Sequence, residues 1–243
     1  MNTSDGRAAR GRRDRSANGA LLGALASALG TALGLALAVF PGAPSAAADP
    51  CPDVDVTFAR GTTEPPGLGS VGQAFVNEVR ARAGSRTVTD YAVNYPASND
   101  FPTASDGVID AMNHVNAMAA NCPNTKLVLG GSSQGAAVIG YVTGPAIPPG
   151  YIVPEGINGP MSAQTARHIA AVALFGTPSD GVVSTLGAPP VVIGPLVADK
   201  TINICLPGDL ICAGGGGISL VHGNYARTEA PAEAADFVAQ RVF

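Results

Sequence analysis

The amino-acid sequence predicts one α/β domain, running from about residue 49 to the carboxyl terminus, with a small parallel sheet of about five strands covered on both faces by helices. Three observations carry that expectation. Short apolar runs rich in Val, Ile and Leu alternate with stretches whose apolar residues recur at helical spacing. A chain of 243 residues that is 46% hydrophobic and only 13% charged has enough apolar surface for a sizeable core. No repeat with a period of roughly 20 to 50 residues is visible, which argues against a solenoid.

The elements follow in order. Val54–Ala59, Thr87–Val93, Lys126–Gly131, Ile169–Phe175 and Lys200–Cys205 read as strands. Between them, Ser70–Ala83, Ala104–Ala120 and Gln134–Gly144 carry helical spacing. Strand–helix alternation of this kind produces parallel pairing, because each crossover must return the chain to the same edge of the sheet. Ala230–Val242 reads as a closing helix: Ala234, Phe237, Val238 and Val242 fall on one face, and Pro231 lies in the first turn, where a missing N–H costs nothing. Pro145–Pro160 holds five prolines and is expected to be loop. Ser184–Ala198 is apolar but contains Pro189, Pro190 and Pro195, so it is expected to be neither regular helix nor central strand.

Residues 1–48 read as an export signal. Arg7, Arg10, Arg12, Arg13 and Arg15 form a basic start, Ala20–Phe40 is an uncharged Ala/Leu/Gly run, and Ala46-Ala47-Ala48 supplies the small side chains a signal peptidase accepts. The rival reading is a retained anchor, since about 20 apolar residues can span a bilayer; cleavage would leave no permanent membrane span. The rest of the chain holds nine Lys and Arg against sixteen Asp and Glu. A body of that charge repels a phosphate backbone, so no nucleic-acid partner is expected.

Gly131-Ser132-Ser133-Gln134-Gly135 directly follows an apolar strand and precedes an Ala-rich helix, the context that gives G-x-S-x-G its chemical meaning. A serine on so sharp a turn presents its hydroxyl at the strand's carboxyl end, over a helix amino terminus where negative charge is favoured. Ser133 is therefore the candidate nucleophile. Ser132 fails because the frame centred on it lacks the second glycine. Of the three histidines, His114 lies within a helical stretch and His168 at the wrong end of a strand. His222 follows the last strand and is the candidate base. Asp209 is the candidate acid, in a short Cys205-to-Cys212 loop, with Asp180 as its rival. The four cysteines allow three pairings, of which Cys205 with Cys212 and Cys51 with Cys122 is the local-plus-remainder choice.

Gly130-Gly131-Ser132-Ser133-Gln134-Gly135-Ala136, with Cys205, Asp209, Cys212, His222 and Tyr225 in that order, resembles the cutinases, particularly the actinobacterial cutinase-like serine esterases. Phe58-Ala59-Arg60-Gly61-Thr62-Thr63-Glu64 is similar to their first-strand motif. The resemblance spans roughly Cys51 to Phe243. It implies a lidless three-layer α/β/α hydrolase that is secreted or held at the cell wall, with Ser133, Asp209 and His222 as triad. It also implies Cys51–Cys122 and Cys205–Cys212 disulfides, and an oxyanion hole from Thr62 and Gln134. Thr62 stands where fungal members have Ser, and Ser132 where they have Tyr. No metal or organic cofactor is implied, the expected partner is an ester or lipid substrate, a monomer is expected, and short- to medium-chain carboxylic esters are the expected class.

Leu186, Val191, Val192, Leu220 and Val221 flank the expected site in Pro/Gly-broken loops and are candidate acyl contacts. Two other classes compete. Gly67-Leu-Gly69-Ser-Val-Gly72 with Asp90 has dinucleotide-site spacing, but Arg60–Pro66 separates it from the strand, so the turn is not tight enough for a pyrophosphate. A secreted binding protein that kept the fold without the activity is the second.

Overall fold

A computed structural model describes residues 51–147, 153–215 and 219–243. The expected export signal at residues 1–48 lies outside the described residues. Five strands, β1 (Val54–Ala59), β2 (Val88–Ala92), β3 (Lys126–Ser132), β4 (Ile169–Phe175) and β5 (Thr201–Ile204), form one parallel sheet in the order β2-β1-β3-β4-β5. Every strand falls where the apolar runs place it, within a residue or so. The helices are α1 (Gly69–Arg82), α2 (Ala104–Asn121), α3 (Gln134–Val142), α4 (Ala163–Ala166), α5 (Asp180–Thr185), α6 (Leu210–Ala213) and α7 (Ala230–Val242). The short α4, α5 and α6 escape sequence reading because four to six residues span too little of a helical period to show one.

Alternation along β1 divides the core in two. Val54, Val56 and Phe58 face α1 and α7, where Phe58, Phe75 and Phe175 meet with ring centroids 5.7 to 6.2 Å apart. Leu127, Leu129, Val172 and Leu174 face α2 and α3 on the other side. Both faces are thus covered, giving the three-layer arrangement. Arg82 of α1 pairs with Asp236 of α7 at 2.6 Å, clamping the two helices of one layer together.

Asp55 points into the second layer, where a bare carboxylate would be costly. It accepts hydrogen bonds from Thr57 and Thr89 and pairs with Nε2 of His114 at 2.9 Å. Tyr91 stacks flat on the His114 ring and donates to Asp110. This histidine is a partner of a buried acid, far from any nucleophile role.

Cys51–Cys122 ties the start of β1 to the end of α2, and Cys205–Cys212 closes the loop after β5; no free cysteine is present among the described residues. Among the described residues no helix is long and apolar enough to cross a membrane.

Candidate active site

The strand order reverses between β1 and β3: the chain leaves β1 towards β2 and returns to place β3 on the other flank. Open parallel sheets bind ligands outside the carboxyl ends of strands at such a switch point. Thr62 follows β1 and Ser133 follows β3, so both candidate groups emerge there.

Ser133 adopts φ 54°, ψ −118°, a conformation rarely tolerated outside glycine. Its neighbours explain how the turn closes. A Cβ on Gly131 would lie 2.2 Å from the Gly135 carbonyl oxygen, and one on Gly135 would lie 2.0 Å from the Ala59 carbonyl oxygen. The glycines let β3, the turn and α3 approach without side chains between them. The Ser133 amide is fixed by Phe175 of the adjacent strand at 2.9 Å, and α3 begins at the next residue.

The three candidate triad residues come together. Ser133 Oγ lies 2.8 Å from His222 Nε2, and His222 Nδ1 lies 2.8 Å from Asp209 Oδ2. Asp209 is fully buried, and burial alone opposes its ionisation. Hydrogen bonds from His222, Tyr225 and the Ile211 amide outweigh that effect and hold its carboxyl below the usual carboxylate range. Tyr225 OH donates to Asp209 Oδ2 at 2.7 Å and accepts from the Leu206 amide at 3.1 Å; burial, with the neighbouring carboxylate adding to it, pushes its phenol well above the ordinary tyrosine value. The Cys205–Cys212 bridge encloses Asp209, which also caps α6 through Ile211. Asp180, the rival acid, is exposed at the start of α5, and His168 sits at the amino-terminal edge of β4.

The loop after β1 is built around Arg60 and Glu64. Arg60 is 3% exposed, and its guanidinium donates to the Glu64, Val93, Tyr95 and Pro96 carbonyls. The Glu64 carboxylate accepts from the Gly61 amide at 2.7 Å and from the Ser70 amide and hydroxyl. Thr62 lies between these anchors in sequence and lines the same cavity as Ser133. Gln134 follows the nucleophile as the first residue of α3, where an amide has no intrahelical acceptor. Its side-chain amide donates to the Ser98 carbonyl at 3.0 Å. Tyr225 and Glu64 belong to the motifs that carry the resemblance, but their roles were not legible, because a hydrogen-bonding side chain shows its role only once its partner is located.

A cavity of about 950 Å³ opens at Ser133 and His222. Thr62, Ser132, Gln134, Leu186 and Val192 are among its lining residues. Val191, Leu220 and Val221 are not among its lining residues. Val191 packs instead where a Cβ on Gly140 would sit, Leu220 is 85% exposed, and Val221 faces the Gly208 turn. Two of the three dinucleotide-like glycines serve packing: a Cβ on Gly69 would strike the Glu64 carboxylate and one on Gly72 the Phe58 ring, so this chain's own side chains fill the space there.

Known proteins bear on the same geometry. The chain is 47% identical over 204 residues to carboxylesterase Culp1 of Mycobacterium tuberculosis, covering 83% of this chain and 87% of the relative. It is 48% identical over 173 residues to phospholipase Culp4 of the same organism, covering 71% and 72%. Among solved structures, Trichoderma reesei cutinase in complex with a phosphonate inhibitor matches with a TM-score of 0.59 at 37% identity, covering 80% of this chain and 78% of that one. The catalytic core domain of acetyl xylan esterase from Trichoderma reesei matches with a TM-score of 0.61 at 26% identity, covering 79% and 100%. Residues 50–242 match the Cutinase family, nearly the whole of the described domain, and the chain therefore belongs to that family.

Proposed function

We propose that this protein is an exported serine esterase that hydrolyses carboxylic esters through an acyl-enzyme. The observation that carries the reading is the unbroken hydrogen-bonded chain from Ser133 through His222 to the buried Asp209, each link 2.8 Å. Ser133 attacks the ester carbonyl carbon while His222 Nε2 takes its proton. Asp209 holds the Nδ1–H tautomer of His222 and stabilises the imidazolium that forms. The oxyanion of the tetrahedral intermediate is held by the backbone amides of Thr62 and Gln134, at the amino terminus of α3. His222 then returns the proton to the leaving alcohol, whose C–O bond breaks. A water attacks the acyl-enzyme by the same steps in reverse, releasing the acid and restoring Ser133.

The carboxylesterase and phospholipase names of the relatives support an ester substrate. Two disulfides and the basic, then apolar, then Ala-rich amino terminus support export, since such bridges persist in oxidising compartments. The reading is tested by p-nitrophenyl butyrate hydrolysis with the purified protein and Ser133→Ala. Turnover that falls by roughly 10⁴-fold or more in the variant supports it; equal turnover in both proteins overturns it.

A further inference from the structure

The cavity at Ser133 extends much further than the reaction requires. α2 and α3 both leave the carboxyl edge of the sheet and run back across one face, since each connects two parallel strands. On α3 the cavity is lined by Ala137 and Tyr141, then by Gly144 just past the helix end, at i, i+4 and i+7. On α2 it is lined by Ala104, Val108 and Met112, at i, i+4 and i+8. Both stripes start at the catalytic edge: Ser133 immediately precedes α3, and Gln134 bonds to Ser98 just ahead of α2. At a rise of about 1.5 Å per residue, the α3 stripe carries the cavity about 16 Å from Ser133 to Gly144, and the α2 stripe extends about 12 Å.

Two irregular segments wall this trough. The first runs alongside α3: Tyr141 OH donates to the Pro189 carbonyl at 2.7 Å, Val191 fills the space above Gly140, and the Gly194 amide donates to the Thr143 carbonyl at 2.9 Å. The second lies on α2, with Gly156 against Ile109 and Ile157 packed on the adjoining core. Leu186 and Val192 line the cavity from one segment, Val153 and Ile157 from the other. Thr62, Ser132, Gln134 and His222 line the same cavity as Ser133, while Ser105 and Tyr141 add polar groups on the helical stripes.

We infer that this cavity is an acyl channel and that the substrate is an ester of a long-chain fatty acid, roughly 12 to 16 carbons, with the chain lying along α3. The inference rests on the esterase reading above and specifies a class longer than the short- to medium-chain esters that the family resemblance implies. A saturated chain advances about 1.3 Å per carbon, from bonds of about 1.5 Å, so the run to Gly144 takes about a dozen carbons. Volume is not limiting, because a 16-carbon chain fills roughly 450 Å³ at protein packing density, within the cavity's 950 Å³. Apolar surface buried along this path strengthens binding in the transition state as well as in the ground state, so kcat/KM rises with chain length. The leaving alcohol stays at the mouth beside His222, which must protonate it.

The test is kcat/KM for p-nitrophenyl esters from acetate to palmitate at submicellar concentrations, together with the isomeric pair ethyl laurate and dodecyl acetate. Laurate should exceed butyrate by roughly 30-fold or more, and ethyl laurate should be cleaved faster than dodecyl acetate. Met112→Trp and, at a partly exposed site, Val153→Trp should each lower the laurate-to-butyrate ratio by roughly tenfold. The ratio is read only on variants whose thermal unfolding remains cooperative. A flat or falling profile beyond butyrate, or preference for dodecyl acetate, overturns the channel while leaving the esterase standing. Absence of turnover on every ester overturns the esterase reading itself.

Discussion

Tyr225 donates its phenolic hydrogen to the same oxygen of Asp209 that meets His222, at 2.7 and 2.8 Å respectively. One carboxylate oxygen therefore joins the base to a fully buried phenol, and the same phenol accepts from the Leu206 amide. Asp209 thus has a second side-chain partner besides His222. Tyr225→Phe keeps the ring packed against Phe175 but removes both hydrogen bonds. Leaving the Leu206 amide and Asp209 short of a partner should cost about 1–3 kcal/mol of stability. It should also lower kcat roughly tenfold with little change in KM. Urea unfolding and steady-state kinetics on the same preparation check both.

The Asp209 carboxyl is held below the usual carboxylate range, which fixes the sign of its pH dependence. A lowered pKa in the folded state contributes stability that is present above the unfolded value, about 3.9, and is lost as pH falls through the folded value. Asp209→Asn lacks that contribution. The gap in Tm between wild type and variant should be wide at pH 7 and narrow as pH falls below about 4. A gap that stays constant down to pH 2.5 contradicts the assignment.

Gly135 is the most constrained position of the nucleophile turn. A methyl group there meets the Ala59 carbonyl at 2.0 Å, and neither α3 nor β1 can retreat without opening the sheet. Gly135→Ala should destabilise the fold by about 3 kcal/mol or more, read as a loss of soluble yield and a lowered Tm. Wild-type stability in this variant would mean that the close approach of α3 to β1 is wrong.

The two disulfides should separate stability from activity. Cys51 and Cys122 are 71 residues apart in sequence, Cys205 and Cys212 only 7. Loop-closure entropy makes the first worth about 4 kcal/mol and the second about 2.5 kcal/mol. Replacing Cys51 and Cys122 with Ser should therefore lower Tm more. Replacing Cys205 and Cys212 should lower kcat more, because that loop carries Asp209. Paired Ser variants, measured for Tm and for p-nitrophenyl butyrate turnover, test the crossover.

Legibility followed the length scale of each pattern. The strands were readable because parallel strands buried on both faces tend to short apolar runs, as Ile169–Phe175 shows. Ser133, His222 and Asp209, which the structure brings together, were readable as candidates: the elbow imposes glycines at fixed offsets, and chain order left few alternatives for the other two. The acyl contacts were less so. Ala137, Tyr141, Val108 and Met112 read as ordinary helix faces, and only the neighbouring helix and the proline-broken segments beside it turn them into a trough. Leu220 and Val221 flank the expected site in sequence, yet Leu220 points to solvent. Proximity along a loop fixes the backbone path and leaves side-chain direction to packing. His114 likewise acquired its role from Asp55, 59 residues away.

The reactivity expected of Ser133 is that of an activated nucleophile. Its most direct measurement is incubation of the purified protein with a p-nitrophenyl alkylphosphonate, followed by intact-mass analysis and peptide mapping. One phosphonyl group per chain is expected, on Ser133, formed far more slowly in His222→Ala and absent in Ser133→Ala. An adduct on another residue, or none in a protein with both disulfides formed, would contradict it.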